Sequence, residues 1–290
     1  MNAPPFPTNP SFGQYFGNWV WSGSRWVCTN TNGVRVVEQV FRASAPYMPS
    51  PGLISCIVEC QGGGAGGGGA IGTAPPDTEG WMTGGGGGGA GGYSRIALAA
   101  GLVLGGVNVT IGAGGTEGTW VPGVNGGDGG TTSFGAFCVA NGGQGGISAT
   151  PTGGIGGLGG AVGVGDVAQA GNPGTSVAGS LNNPGVAGGS IVGGNGGVGF
   201  FGGGGTGAIA VEGGQWPRLA NAGAPNSGGG GGGGAATDTA YYNQGSPGGS
   251  GICIVTEFCW ADTIDDGCGC APAGGAARVA IGGAQGWDND

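Results

Sequence analysis

The sequence predicts an all-β protein. Its framework is a short-strand, jelly-roll-like β-sandwich with glycine-rich runs of polyglycine-II type, long loops and no significant α-helix. Three observations lead there. Apolar residues recur in short stretches bounded by glycine, and none follows the 3.6-residue helical period. Glycine occupies 84 of the 290 positions, a composition that disfavours helix and permits close backbone approach. Several tracts also follow a Gly-Gly-X triplet, the period of an extended helix with about three residues per turn.

Residues 1–36 read as the first unit. A proline-rich entry leads to Trp19-Val20-Trp21, a Ser-Gly-Ser turn, and Trp26-Val27. This pattern predicts a two-stranded hairpin with aromatic cross-strand pairs. An isolated hairpin is marginal in water, so Trp19, Trp21 and Trp26 are expected to dock on a larger assembly. The opening MNAPPFPTNP has no basic or apolar segment of the kind that directs secretion. No stretch reaches the roughly 18 apolar residues of a membrane span, and membrane insertion is not expected.

Residues 37–260 read as the main domain. Its strand candidates are 36–42, 53–61, 93–99, 107–111, 132–140 and 251–260, with Pro46 to Gly52 as a breaker. In Leu53 to Gln61, Cys56, Val58 and Cys60 share one face under the two-residue period. Glycine tracts lie between the strands at 62–69, 84–92, 142–160, 193–205 and 228–234. A polyglycine-II helix makes no internal hydrogen bonds, so a buried one must bond its neighbours. Neighbouring tracts are therefore expected to form a lattice, with Ile155, Leu158 and Val198 on inward edges and Gln144 and Asn195 toward solvent or a lateral contact.

Residues 261–290 form a cysteine-bearing tail without strand or helix pattern. Cys253, Cys259, Cys268 and Cys270 lack the paired spacing of a zinc knuckle. Disulfides are the favoured reading for these four, and buried free thiols remain an alternative for Cys56, Cys60 and Cys138. Asp262, Asp265 and Asp266 read as a solvated acidic turn, because the ligand alternation of a calcium loop is missing.

Composition also excludes functions. There is no histidine, and the six basic residues are all arginines, so histidine triads, P-loops and Schiff bases are absent. A net charge of −9 opposes binding to nucleic-acid phosphates. Residues 96–217 hold only four acids and no base, a sparse lining for a saccharide-cleaving groove. The expectation is a non-enzymatic protein without metal or cofactor. Binding is then the task of aromatic and polar residues on the non-glycine loops, which are Trp81, Trp120, Trp216, Arg218, Tyr241 and Tyr242. Phe200-Phe201 reads instead as a cap on a glycine layer or a closure of the sandwich.

The ordered strand motifs resemble a known family. Leu53-Ile54-Ser55-Cys56-Ile57-Val58-Glu59-Cys60-Gln61 runs into polyglycine, followed by Gly84 to Arg95, then Val107-Asn108-Val109-Thr110-Ile111. Thr131 to Gly135 and Gly251 to Glu257 close the series. In order and spacing this resembles the glycine-rich domain of bacteriophage tail-fibre and adhesin proteins over about residues 37–260. The resemblance implies a virion surface protein, made in the host cytoplasm, that contributes to recognition of a host surface protein or glycan. It also implies other virion proteins as partners and a homotrimeric state. A competing reading is a purely structural capsid decoration or head-fibre protein. An ice-binding surface protein fits less well, because its face would be regular and threonine-rich.

Overall fold

The computed structural model describes residues 11, 14–16, 19–21, 26–28, 34–71, 81–119, 124–149, 153–178, 180–181, 189–211, 218–237 and 242–260. The chain divides into two compact units, one of residues 1–33 with 261–290 and one of Val34–Trp260. Asp262, Asp265, Asp266, Cys268 and Cys270 lie outside the described residues.

In the first unit, strands β1 (Tyr15–Phe16), β2 (Trp19–Trp21) and β3 (Trp26–Cys28) form an antiparallel sheet. Trp21 stands opposite Trp26 in register. The expected pair of strands is present, and β1 extends it to three.

The second unit is all-β, with no α-helix among the described residues. Its first half is a sandwich. One sheet contains β4 (Val34–Phe41), β6 (Leu53–Gln61), β9 (Tyr93–Ala99), β14 (Val167–Gln169) and β21 (Ile252–Trp260), in the order β14-β9-β6-β21-β4. The other contains β5 (Ala45–Tyr47), β10 (Val107–Thr110), β11 (Thr132–Phe134) and β12 (Cys138–Ala140), in the order β12-β11-β10-β5. The 132–140 candidate is two strands, because Gly135 turns the chain at φ +52°, a conformation that side-chain-bearing residues rarely adopt. The residues read as a breaker include Pro46 and Tyr47 of edge strand β5, where the proline's missing N–H is tolerated.

The core between the sheets follows the alternation. Cys56, Val58 and Cys60 point inward from β6, and Cys253, Val255, Glu257 and Cys259 point inward from β21. Tyr47 packs on Phe134, with ring centroids 5.1 Å apart. Glu257 is fully buried, yet it accepts hydrogen bonds from Tyr47 Oη (2.6 Å), Ser50 Oγ (2.6 Å) and Ser50 N (3.0 Å). Burial alone raises its pKa. The bonds from Ser50, Tyr47 and Gln39 outweigh that and hold the carboxyl below its usual value.

The second half is the glycine lattice. Twelve extended runs are present among the described residues: 62–69, 85–92, 111–119, 124–131, 141–149, 155–163, 170–176, 193–199, 203–208, 219–224, 228–234 and 244–251. Their hydrogen bonds rotate with a period of three. Gly62, Gly63 and Gly64 donate to Gly92, Gly130 and Gly249, and Ala65, Gly66 and Gly67 then donate to Gly89, Gly127 and Ser246, all at 2.8–2.9 Å. Run 62–69 therefore touches six neighbours at once. Runs 85–92 and 228–234 do the same, and the three bond one another.

The other nine runs close a ring around this central triangle. Each bonds the next, from 111–119 through 124–131, 141–149, 155–163, 170–176, 193–199, 203–208, 219–224 and 244–251, back to 111–119. The arrangement is hexagonal packing of three helices inside nine. The interior is glycine apart from Ala65 and Ala90, both fully buried in the central runs. A Cβ on Gly67 would lie 2.1 Å from the carbonyl oxygen of Gly232, and one on Gly230 would lie 2.0 Å from that of Gly88.

This spacing corrects the expected direction of the X residues. Ile155, Leu158 and Val198 are exposed, not inward. In a ring run the two glycines face the neighbouring backbones, and the third position has room only outside. Gln144 and Asn195 are exposed as expected.

Gln61 and the Phe200-Phe201 turn are among the contacts that join lattice to sandwich. Gln61 is fully buried, donates from Nε2 to Gly91 O (2.8 Å) and Gly92 O (3.1 Å), and accepts from Phe200 N (3.1 Å). Phe200 stacks on Tyr93 with centroids 3.9 Å apart, and Phe201 meets the same ring edge-on. The Phe200-Phe201 turn is the expected cap, seated at the sandwich end.

Candidate functional site at the distal end of the lattice

The runs alternate in direction. The chain leaves β6 along 62–69 and returns to β9 along 85–92, and five more outgoing and returning pairs follow. At about 3.1 Å per residue, an eight-residue run reaches roughly 25 Å from the sandwich. Six outgoing runs therefore end, and six returning runs begin, at the far end. The connections between them include 72–80, 120–123, 150–152, 182–188, 212–217 and 238–241, all outside the described residues.

A collar of short strands ties the run ends together beneath these connections. It comprises β7 (Ala70–Ile71), β8 (Trp81–Gly84), β13 (Gly153–Gly154), β15 (Val177–Ala178), β16 (Ser180–Leu181), β17 (Ser190–Val192), β18 (Ile209–Val211), β19 (Ala235–Ala236) and β20 (Tyr242–Asn243). β8 pairs with both β16 and β19, β17 with β18, β13 with β15, and β20 with β7. The local reason is sequence: several runs end in short side-chain-bearing stretches, such as Ala70-Ile71, Ser190-Ile191-Val192, Ile209-Ala210-Val211 and Ala235-Ala236, that pair as strands. Met82, Ile191, Ala208, Ala210 and Ala235 form a small apolar core there, and Ala70, Ala149 and Ala236 form a second.

Of the predicted contact residues, the structure describes Trp81, Arg218 and Tyr242, all three at this end. Trp81 opens β8 opposite Leu181, and Tyr242 stands opposite Ile71 in β20. Arg218 bridges Ile209 through two backbone hydrogen bonds of 2.8 and 3.0 Å. The described part of Trp81 and Tyr242 is their backbone. Trp120, Trp216 and Tyr241 belong to the distal connections and lie outside the described residues, as do the side chains of Trp19, Trp21 and Trp26 in the first unit.

Some polar groups at this end carry no warning in the sequence. Thr83 is buried and donates to Ile71 O (2.7 Å). Asn243 is buried with its Nδ2 unpaired. On the flank below the collar a groove is lined by Asn195, Thr206, Asn221, Arg218, Ile209 and Leu219. Asn195 Oδ1 accepts from Gly207 N (2.9 Å), and Asn221 donates to Thr206 Oγ1 (2.8 Å). The signal that finds them is position: they occupy or closely follow the X places of outer runs, which the packing turns outward.

Such an arrangement offers amides, hydroxyls, one arginine and apolar patches, which is the chemistry of recognition. Among the described residues no group of three cysteines or carboxylates gathers as a metal centre, and no helix is long and apolar enough to cross a membrane. Cys253 and Cys259 are both fully buried. They sit six residues apart on one face of β21, about 20 Å along the strand, so they cannot pair with each other. Comparison with known families finds a match over residues 45–257 to the model described as a glycine-rich domain. No curated protein matches.

Proposed function

We propose that this chain, which belongs to the glycine-rich domain family, is a bacteriophage virion structural protein. In this reading it is a fibre or fibre-tip component that contributes to recognition of a host cell-surface receptor. One observation carries the reading: a backbone-bonded lattice of twelve runs brings the described ends of six pairs of runs to one end, with Trp81, Arg218 and Tyr242 there. A rigid base lowers the entropy lost when loops bind, which is what a recognition tip needs. Trp81, Trp120, Trp216, Arg218, Tyr241 and Tyr242 then serve as receptor contacts, because aromatic and arginine side chains dominate binding hot spots. The partner is a host surface protein or glycan. The protein is not an enzyme and acts without cofactor, as a homotrimer on the virion surface. Its Trp19, Trp21 and Trp26 sheet joins other virion proteins.

The test exchanges the 212–217 and 238–241 connections for Gly-Ser segments in a particle carrying the full chain. The expected result is normal incorporation with lost adsorption to host cells, whereas deletion of 1–36 removes incorporation itself. Unchanged adsorption after exchange of all six connections would replace this reading with a purely structural decoration protein.

A further inference from the structure

We propose that Cys60 and Cys253 form a cross-strand disulfide that closes the lattice at its neck under oxidising conditions. The two residues stand directly opposite each other where β6 and β21 pair. Their Sγ atoms are 3.7 Å apart, and both residues are fully buried. Opposed residues of an antiparallel pair have Cα atoms about 4.5 or 5.5 Å apart, and both separations lie within the range a disulfide spans. Rotation of the two side chains is enough to bring the sulfurs to bonding distance. Cys259, the other β21 cysteine, stands opposite Leu53 in register. Cys56 likewise faces Glu257.

The place of this pair in the chain gives the bond its effect. The first lattice residue, Gly62, follows Cys60 by two positions, and the last, Gly251, precedes Cys253 by two. All twelve runs lie between them. Without the bond, the unfolded chain has the full freedom of a very long glycine-rich loop, and glycine loses more freedom on folding than any other residue. A disulfide restricts that unfolded ensemble, and in the chain-entropy account its effect grows with loop length.

The oxidant is a small-molecule disulfide. One cysteine thiolate attacks it, forming a mixed disulfide and releasing one small thiol. The second cysteine thiolate then attacks the protein sulfur of the mixed disulfide and releases the other. Two electrons pass to the oxidant, the cysteine protons end on the two released thiols, and one protein S–S bond forms. Hydrogen bonding to Cys138 and Cys253, together with burial, keeps the Cys60 thiol protonated in the folded state. The exchange therefore runs during folding or through opened states. Cys138 is the competing thiol: its Sγ donates to Ser94 O at 3.3 Å, and its carbonyl oxygen lies 3.8 Å from Cys60 Sγ.

The experiment refolds the full chain in oxidised and reduced glutathione, blocks free thiols, and maps peptides by mass spectrometry without reduction. A Cys60–Cys253 crosslinked peptide is expected, with a midpoint of thermal unfolding roughly 5–15 °C above the reduced chain. Cys138→Ser should retain both features, and Cys253→Ser should lose both. The peptide map of the unaltered chain decides the matter even if a variant fails to fold. Recovery of Cys60 and Cys253 as blocked free thiols, or a Cys60–Cys138 crosslink in their place, overturns the proposal.

Discussion

Gly230 and Gly203 both belong to glycine runs, yet a methyl group meets different surroundings at each. At Gly230 it would lie 2.0 Å from the Gly88 carbonyl oxygen, and at Gly203 nothing stands within 4 Å. Gly230→Ala must push two central runs apart and is expected to cost about 3 kcal/mol. Gly203→Ala should stay within about 1 kcal/mol of the parent, on the stabilising side, because it reduces unfolded-state freedom. Denaturant unfolding of the two variants distinguishes them. Glu257 gives the second prediction at this scale. Its folded pKa is depressed, so its contribution is complete above the unfolded value of about 4.3 and is lost as pH falls through the folded one. Glu257→Gln places an amide N–H₂ among the donors Tyr47 and Ser50. The variant should lose about 2–3 kcal/mol at neutral pH and show a flatter acid limb in thermal unfolding below pH 4.3.

At the scale of elements, the Phe200-Phe201 turn is anchored by its stack on Tyr93, a contact that only the structure shows. Phe200→Ala removes the stacked contact with Tyr93 and should cost about 1–3 kcal/mol, whereas Phe200→Tyr should restore most of it. The strands were legible because alternation and turn residues agree, and Leu53–Gln61 and Tyr93–Ala99 match their predicted bounds. Strand β5 was not, because its proline reads as a breaker until an edge position makes the missing N–H harmless. The triplet period made the helical runs legible but not the side their X residues take. That side depends on how many neighbours a run has, and neighbour number belongs to the packing. Ile155 and Leu158 look like core residues by type and stand outside because glycine backbones already fill the interior.

For the whole molecule, the sequence suggested a lattice but not its plan of three runs inside nine. That plan rests on hydrogen bonds between residues far apart in the chain, such as Gly64 to Gly249. The candidate site shares this character. Trp81, Arg218 and Tyr242 are scattered in sequence, and only the alternating direction of the runs carries them to one end. Their choice as contact residues came from residue type; their gathering is a property of the fold.

Amide hydrogen exchange of the purified chain tests the central claim, that the glycine runs form an ordered, mutually bonded lattice. The account predicts the strongest protection in 62–69, 85–92 and 228–234, intermediate protection in the nine outer runs, and onset of loss in all twelve together. Exchange of the three central runs at the rate of an unstructured glycine chain would contradict it.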